Sequence, residues 1–286
     1  MPSLIDIRRR IRSVKNTQQI TKALKMVSAA KLRKAQDRAL AARPYGAMLN
    51  QILANVAHAA AHSQNAGDNP LLAVREEKRI LVIVVTADMG KAGAFNSNLL
   101  KLAQRFVDEH PANELSFVLI GKKGRDYFRK RTRNIRGEYV DLFRHIRYED
   151  AEDIANRVIQ AFSNAEIDAV YLFGNTFKSV MSAHLSSMRV LPIEIPKVRE
   201  AADYIYEQPP EELLGNLLPR YIKLQIFRAL LESVAAEHAA RMTAMETASS
   251  NAAEVIDKLT LNMNRVRQAS ITREIIEIVS GAAALA

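Results

Sequence analysis

From Arg220 to Ser280 the chain contains neither glycine nor proline, and the same holds for residues 3–43. Both stretches are rich in Ala, Leu, Lys, Arg and Gln, which lose little conformational freedom in a helix. A single helix over the later stretch would run about 90 Å at 1.5 Å per residue. Helices of ordinary domains average about three turns, so one of this size needs a partner along its length. The periodicity agrees. Steps of three and four from Leu231 reach Ala235, His238, Met242, Met245, Ser249, Ala252, Ile256, Leu259, Met263, Val266 and Ser270, most of them apolar or small. That is the repeat of a coiled coil.

The N-terminal stretch begins alike, with Leu4, Ile7, Ile11 and Val14. The apolar stripe then moves to Ile20, Leu24 and Val27, roughly 180° around the helix. The shift predicts a helix with its partner on one side and a surrounding protein on the other. Pro2 and Ser3 suit a helix start, and Pro44 with Gly46 predict a kink or break, with helical composition resuming to about His62. SQNAGDNP (63–70) reads as a loop.

Between the two helical ends lie four short apolar runs, RILVIVVT (79–86), LSFVLIG (115–121), DAVYLFGN (168–175) and MRVLPIEI (188–195). Each reads as a buried strand. Amphipathic stretches at 95–109, 122–133 and 150–164 separate them, and residues 135–143 suggest a further short strand. Alternating strands and helices predict a largely parallel sheet. The expected fold is therefore α/β: a long antiparallel coiled coil of the N- and C-terminal helices (1–62 and 210–286) with an inserted Rossmann-like α/β domain (76–200).

The net charge of +10 is concentrated. Residues 1–43 hold twelve Lys and Arg against Asp6 and Asp37, while the rest of the chain holds 29 of each sign. One N-terminal segment thus carries the whole excess; it either faces an acidic partner or is a solvated face. There is no cysteine, which excludes disulfides, thiolate metal sites and thiol catalysis. Trp is absent and aromatic residues make up 6%, a poor composition for stacking on bases. The longest apolar run, ILVIVVTA (80–87), is far below the roughly 20 residues of a membrane-spanning helix. MPSLIDIRRRIR lacks the apolar segment of a secretory signal.

No motif assembles an active site. TADMGKAGAFNSN (86–98) follows the first strand, and Gly90 and Gly93 invite a phosphate-cradle reading, but neither GxxxxGK[ST] nor GxGxxG is present. A plain strand-to-helix turn is preferred. GKKGR (121–125) reads as a solvated turn, with anion binding as its alternative. His58 and His62 would share a helix face, without HExxH or a nearby carboxylate. Glu76–Glu77 and Glu211–Glu212 read as solvated charges. No cofactor and no metal are expected. The last stretch, ASITREIIEIVSGAAALA (269–286), is a helix pattern ending in small apolar residues. It either enters a narrow apolar channel or packs on its own coiled coil.

Two blocks carry a resemblance: IRRRIRSVKNTQQITKALKMVSAAKLRKAQ (7–36) and ARMTAMETASSNAAEVIDKLTLNMNRVRQASITREIIEIVSGAAALA (240–286). Both are similar to the γ subunits of bacterial F-type ATP synthases, in order and over essentially the whole chain. The resemblance implies a non-catalytic rotor shaft on the axis of a ring of three α and three β subunits. Its foot would rest on the ε subunit and the membrane c-ring, at the cytoplasmic face of the bacterial inner membrane. Proton-driven rotation would force each β site through open and closed states, and the shaft would help regulate ATPase activity. By the same resemblance, Arg267 and Gln268 form a catch with a β loop, and Arg241, Thr272 and Glu274 belong to the same contact region. Lys22, Leu24 and Lys25 lie near moving β loops. Tyr204, Tyr206 and Glu207 of ADYIYEQ (202–208) face the foot. Met89 stands where Arg is common in the family, Lys91 where Leu is common and Leu24 where Met is frequent. The lack of cysteine excludes the thiol switch of plant-type relatives. The competing readings are a basic coiled-coil nucleic-acid binder, which predicts salt-sensitive binding to duplex DNA of any sequence, and a nucleotide-binding α/β enzyme with helical arms, which lacks a phosphate loop.

Overall fold

The computed structural model describes residues 3–61, 69–131, 134–179, 182–195 and 206–283. They form two compact units, one of residues 29–241 and one combining 1–28 with 242–286. The first helix, α1 (Leu4–Ala61), and the last, α5 (Pro210–Ala283), each contribute to both.

The larger unit is built on a five-stranded sheet. Its strands are β1 (Arg79–Val85), β2 (Glu114–Ile120), β3 (Ile135–Tyr139), β4 (Ala169–Ser179) and β5 (Ser182–Leu191), in the order β3-β2-β1-β4-β5. β1 lies in the middle, parallel to β2 and β4, and its residues from Ile80 to Val85 are buried. This is why its sequence is an unbroken apolar run rather than an alternation. One face carries Ile80, Val82 and Val84 against Leu99 and Ala103 of α2 (Phe95–Glu109) and Phe128 of α3 (Lys122–Phe128). On the other face, Leu81 lines a cavity with Ile154 and Val158 of α4 (Tyr148–Ser163). Asp168 clamps β4 to β1, accepting bonds from the backbone N–H of Arg79 (2.8 Å) and from its guanidinium (2.7 Å). The Arg79 side chain thereby holds the Asp168 carboxyl below the usual carboxylate range.

Two expectations need correction. The last strand starts at Ser182, not Met188, and runs antiparallel to β4. The connection between β4 and β5 is far shorter than the dozen or so residues a parallel crossover needs, so only a hairpin is possible. Pro44 does not break α1, which continues to Ala61. The Pro44 ring is exposed, and the carbonyl it frees, that of Leu40, belongs to an exposed residue that water can serve. Likewise α5 begins at Pro210, with Glu211 and Glu212 in its first turn, and passes through Pro219.

In the smaller unit the periodic positions of α5 decide its burial. Met245, Ser249 and Ala252 are buried, and Met242, Ile256, Leu259, Met263, Val266 and Ser270 are half-buried, whereas every described residue from Ile271 onward is exposed. Along α1 the buried face runs Leu4, Ile7, Ile11, Val14, Gln18, Thr21 and Ser28. The apolar stripe that shifts to Ile20 and Val27 therefore lies off the face buried within the chain, with Leu24 at its edge. Ile20 and Val27 are 58% and 52% exposed, and Leu24 is half-buried. Polar Thr21 holds its buried place because its hydroxyl is shared with Ser249 Oγ at 2.6 Å and donates to the Gln18 carbonyl at 2.9 Å.

The tightest backbone approach is at Gly121, where φ is +87° and an added Cβ would lie 2.0 Å from the Thr86 carbonyl oxygen. Gly121→Ala is expected to destabilise the chain by about 3 kcal/mol or more, measured by denaturant unfolding. Gly281→Ala, with nothing within 4 Å, should leave the midpoint unmoved.

Candidate functional site

In doubly wound sheets ligands bind outside the carboxyl ends of the strands, where the strand order reverses. Here that place lies beyond β1 and β4, and α5 occupies it. Ser233 Oγ accepts from the Asn175 backbone N–H at 3.2 Å, and a Cβ on Gly174 would sit 3.2 Å from that oxygen. The turn after β1 is equally committed to the fold. Thr86 Oγ1 donates to the Ile120 carbonyl (3.0 Å) and accepts from Gly124 N–H (2.7 Å). Asn96 Oδ1 accepts from Ala87 N–H at 3.0 Å. Asp88 Oδ1 accepts from the N–H groups of Lys122 and Asp141, each at 3.0 Å. A carboxylate thus sits where a phosphate loop would carry its anion, and Lys91 and Gly93 both take positive φ in shaping the bend. GKKGR likewise spends its first N–H groups on this turn, through Lys122 to Asp88 and Lys123 to the Ala87 carbonyl.

One turn further along α5 lies a charged network that sequence reasoning did not single out, although Glu237 and Arg241 stand at the i,i+4 spacing of a helical ion pair. Both side chains are nearly buried, 5% and 11% exposed, and they bond directly. Arg241 also donates to the Gly90 carbonyl at 3.2 Å and to His238 Nδ1 at 3.4 Å. Burial raises the Glu237 carboxyl above its ordinary range despite Arg241. His238 is pushed down to about 4, by burial first and then by the charges of Arg241 and Lys31. Arg241, expected in an intermolecular contact, bonds within its own chain and ties α5 to the turn after β1.

The other expected contact residues of the helical ends lie at the surface. Lys22, Arg267, Gln268, Thr272 and Glu274 are exposed, and Leu24 is half-buried. Lys25 pairs with Glu246 across the two helices. Thr272 Oγ1 turns back to the Gln268 carbonyl at 3.0 Å. Exposed apolar side chains surround them: Ile20, Met26 and Val27 on α1, and Leu261, Ile271, Ile275, Ile276, Ile278 and Val279 on α5. The terminal segment of α5 therefore does not pack on its own chain through residue 283. At the expected foot, Tyr206 is half-buried and Glu207 exposed, while Tyr204 lies outside the described residues. No group of three or more His, Asp or Glu able to hold a metal occurs among the described residues, and His62 falls outside them.

The crevice is thus stopped by the chain's own helix, and α5 ends in an uncovered apolar surface. A family profile described as ATP synthase matches residues 3–285. The ATP synthase gamma chain of Solibacter usitatus is 64% identical over 284 residues, 99% of each chain. That of Pelotomaculum thermopropionicum is 50% identical over the full length of both. Among solved structures, the central stalk and c-ring of the Tetrahymena thermophila mitochondrial ATP synthase matches at TM-score 0.63 and 25% identity, covering 80% of this chain and 99% of that one. A chain of the Euglena gracilis mitochondrial enzyme shares the fold at TM-score 0.70 and 19% identity, over 99% of this chain and 94% of that one. The chain belongs to the ATP synthase gamma-chain family, the non-catalytic rotor subunits of the central stalk. Nothing in these matches supports the nucleic-acid reading.

Two variants test the buried network. Arg241→Met strands Glu237 and the Gly90 carbonyl, and is expected to cost about 3 kcal/mol in denaturant unfolding. His238 is neutral when folded and titrates near the usual 6.5 when unfolded, so protons favour the unfolded chain as pH falls. Between pH 7 and pH 5 stability should drop by about 1 to 2 kcal/mol, and the drop should shrink in His238→Gln. The groups facing His238 are Arg241, Lys31 and His145.

Proposed function

We propose that residues 1–28 and 242–286 form an antiparallel coiled coil that turns on the axis of a ring of three α and three β subunits. The coil would transmit c-ring rotation to the nucleotide sites of that ring. The antiparallel sense is supported by paired contacts that run in opposite directions along the two helices, Thr21 with Ser249 and Lys25 with Glu246. The observation that carries the reading is the end of α5, where Ile271, Ile275, Ile276, Ile278 and Val279 are 47–72% exposed. An apolar face of that extent on a charged helix calls for a sleeve. Side chains of this kind present no ion pairs that rotation would have to break. The exposed stripe of Ile20, Met26 and Val27 supplies a second outward face on the neighbouring helix.

In this reading Arg267 and Gln268 engage a β loop as a catch, with Thr272 and Glu274 beside them. Lys22, Leu24 and Lys25 face moving β loops. Exposed ion pairs contribute about 1 kcal/mol or less, so charged contacts along the basic helix steer without locking the rotor. Arg241 acts at one remove, by anchoring α5. The foot, through Tyr204, Tyr206 and Glu207, meets the ε subunit and the polar loops of the c-ring. No helix among the described residues is long and apolar enough to cross a membrane. The chain would therefore be held peripherally, on the cytoplasmic face of the bacterial inner membrane, by its partners.

The test is reconstitution of the full chain with α and β subunits of the same source, followed by size exclusion and ATP hydrolysis. The chain is expected to co-elute with the ring and to stimulate hydrolysis. Removing residues 271–286, or introducing Arg267→Ala with Gln268→Ala, should lower turnover several-fold with assembly retained. A chain that elutes apart while hydrolysis ignores it would overturn the reading.

A further inference from the structure

We propose that the concavity between α1, the short turn Leu142–Arg144 and α5 binds a small phosphate oxyanion, inorganic phosphate or pyrophosphate. It has a volume of about 200 Å³ and carries Lys31, Lys34 and Arg38 from α1, Arg144 and His145 from the turn, and His238 from α5. No carboxylate lines it.

The cations are only weakly committed elsewhere: Lys31 lies within electrostatic reach of the buried Glu237 carboxyl. None of Lys31, Lys34 and Arg38 has an ion-pair partner among the described residues, and Arg144 has only an exposed contact with Asp141 at 3.3 Å. Spacings of three and four along α1 place the three on one face, where like charges repel. Leu32 and Ala39 are buried beside that face, and Ala35 itself lines the concavity. A concavity that gathers more cations than the nearby carboxylates neutralise is an anion site in charge terms.

His238 adds a directed donor. It is 8% exposed and lines the cavity. Arg241 Nη1 lies 3.4 Å from its Nδ1. A guanidinium can only donate, so Nδ1 accepts and the proton of the neutral ring is on Nε2. That N–H has no protein partner among the described residues. An accessible ring donor beside Lys and Arg side chains is the arrangement that makes charge-assisted bonds to phosphate oxygens. The volume selects the size of the ligand. Sites for drug-sized molecules run from roughly 300 to 1,000 Å³, so this one suits phosphate or pyrophosphate better than a whole nucleotide. The inference rests on residues 31–38, 142–146 and 231–241 and is independent of the rotor reading.

The experiment is calorimetric titration of the full chain with pyrophosphate, phosphate and ATP at matched ionic strength set by chloride. The His238 ring resonances are followed by NMR in parallel. Pyrophosphate should bind saturably at one site per chain, with ATP weaker. The His238 signals should move in step, and its titration should rise toward the ordinary histidine range. Lys31→Gln and Arg38→Gln, both at exposed positions that spare the fold, should each weaken binding ten-fold or more with unchanged melting. Tighter binding of ATP than of pyrophosphate would overturn the assignment to a small phosphate oxyanion. Heat that does not saturate, affinity indifferent to both variants, or a static His238 would overturn the proposal. So would a site that ignores all three anions and captures only an acidic polyglutamate peptide.

Discussion

Ile222, Ile226, Leu230, Ser233 and Ala236 are buried along α5, each 0% exposed, so the helix enters the larger unit as a core element rather than a surface one. Burying each large apolar side chain is worth about 1.5–3 kcal/mol, which makes this stretch a principal anchor of the unit. The small residues allow it. Ser233 sits 3.2 Å from where a Cβ on Gly174 would be, a spacing that larger side chains would forbid. Further along, the same helix keeps only a stripe, Met245, Ser249 and Ala252, and then loses all cover. One continuous helix thus grades from core, through paired, to bare. Its stability belongs to the core end.

That grading also fills the crevice of the sheet. The crevice at the ends of β1 and β4 is where α5 must pack to be anchored, and the turn after β1 spends its donors on Asp88, Asn96 and Thr86. Arg241 completes the closure by reaching back to Gly90. A ligand there would have to displace the helix that holds the domain together.

Charge follows a different rule from packing. The basic excess of the first 43 residues lies largely on exposed positions of α1, where individual pairs are weak and salt screens them. The ionic contacts with structural weight are few and sheltered, Arg79 with Asp168 across the sheet and Arg241 with Glu237 within α5. Both lie in the larger unit. In the smaller unit the seam uses a shared hydroxyl bond, Thr21 with Ser249, in place of a buried charge.

The residues themselves determined the long helices, the central apolar strands and their alternation, and the periodic face of α5. Each depends on local propensity or on a repeat that survives without knowledge of neighbours. The two family-like blocks were legible for the same reason, as contiguous strings. What only the tertiary structure decided was how the buried face of α1 continues past Val14, because Thr21 is polar by composition and is buried against Ser249, more than two hundred residues away. It also decided that β5 turns back on β4, that Pro44 costs α1 no break, and that Arg241 serves its own fold. In each case a long-range contact or an available solvent molecule settles a polar group that the sequence alone leaves open.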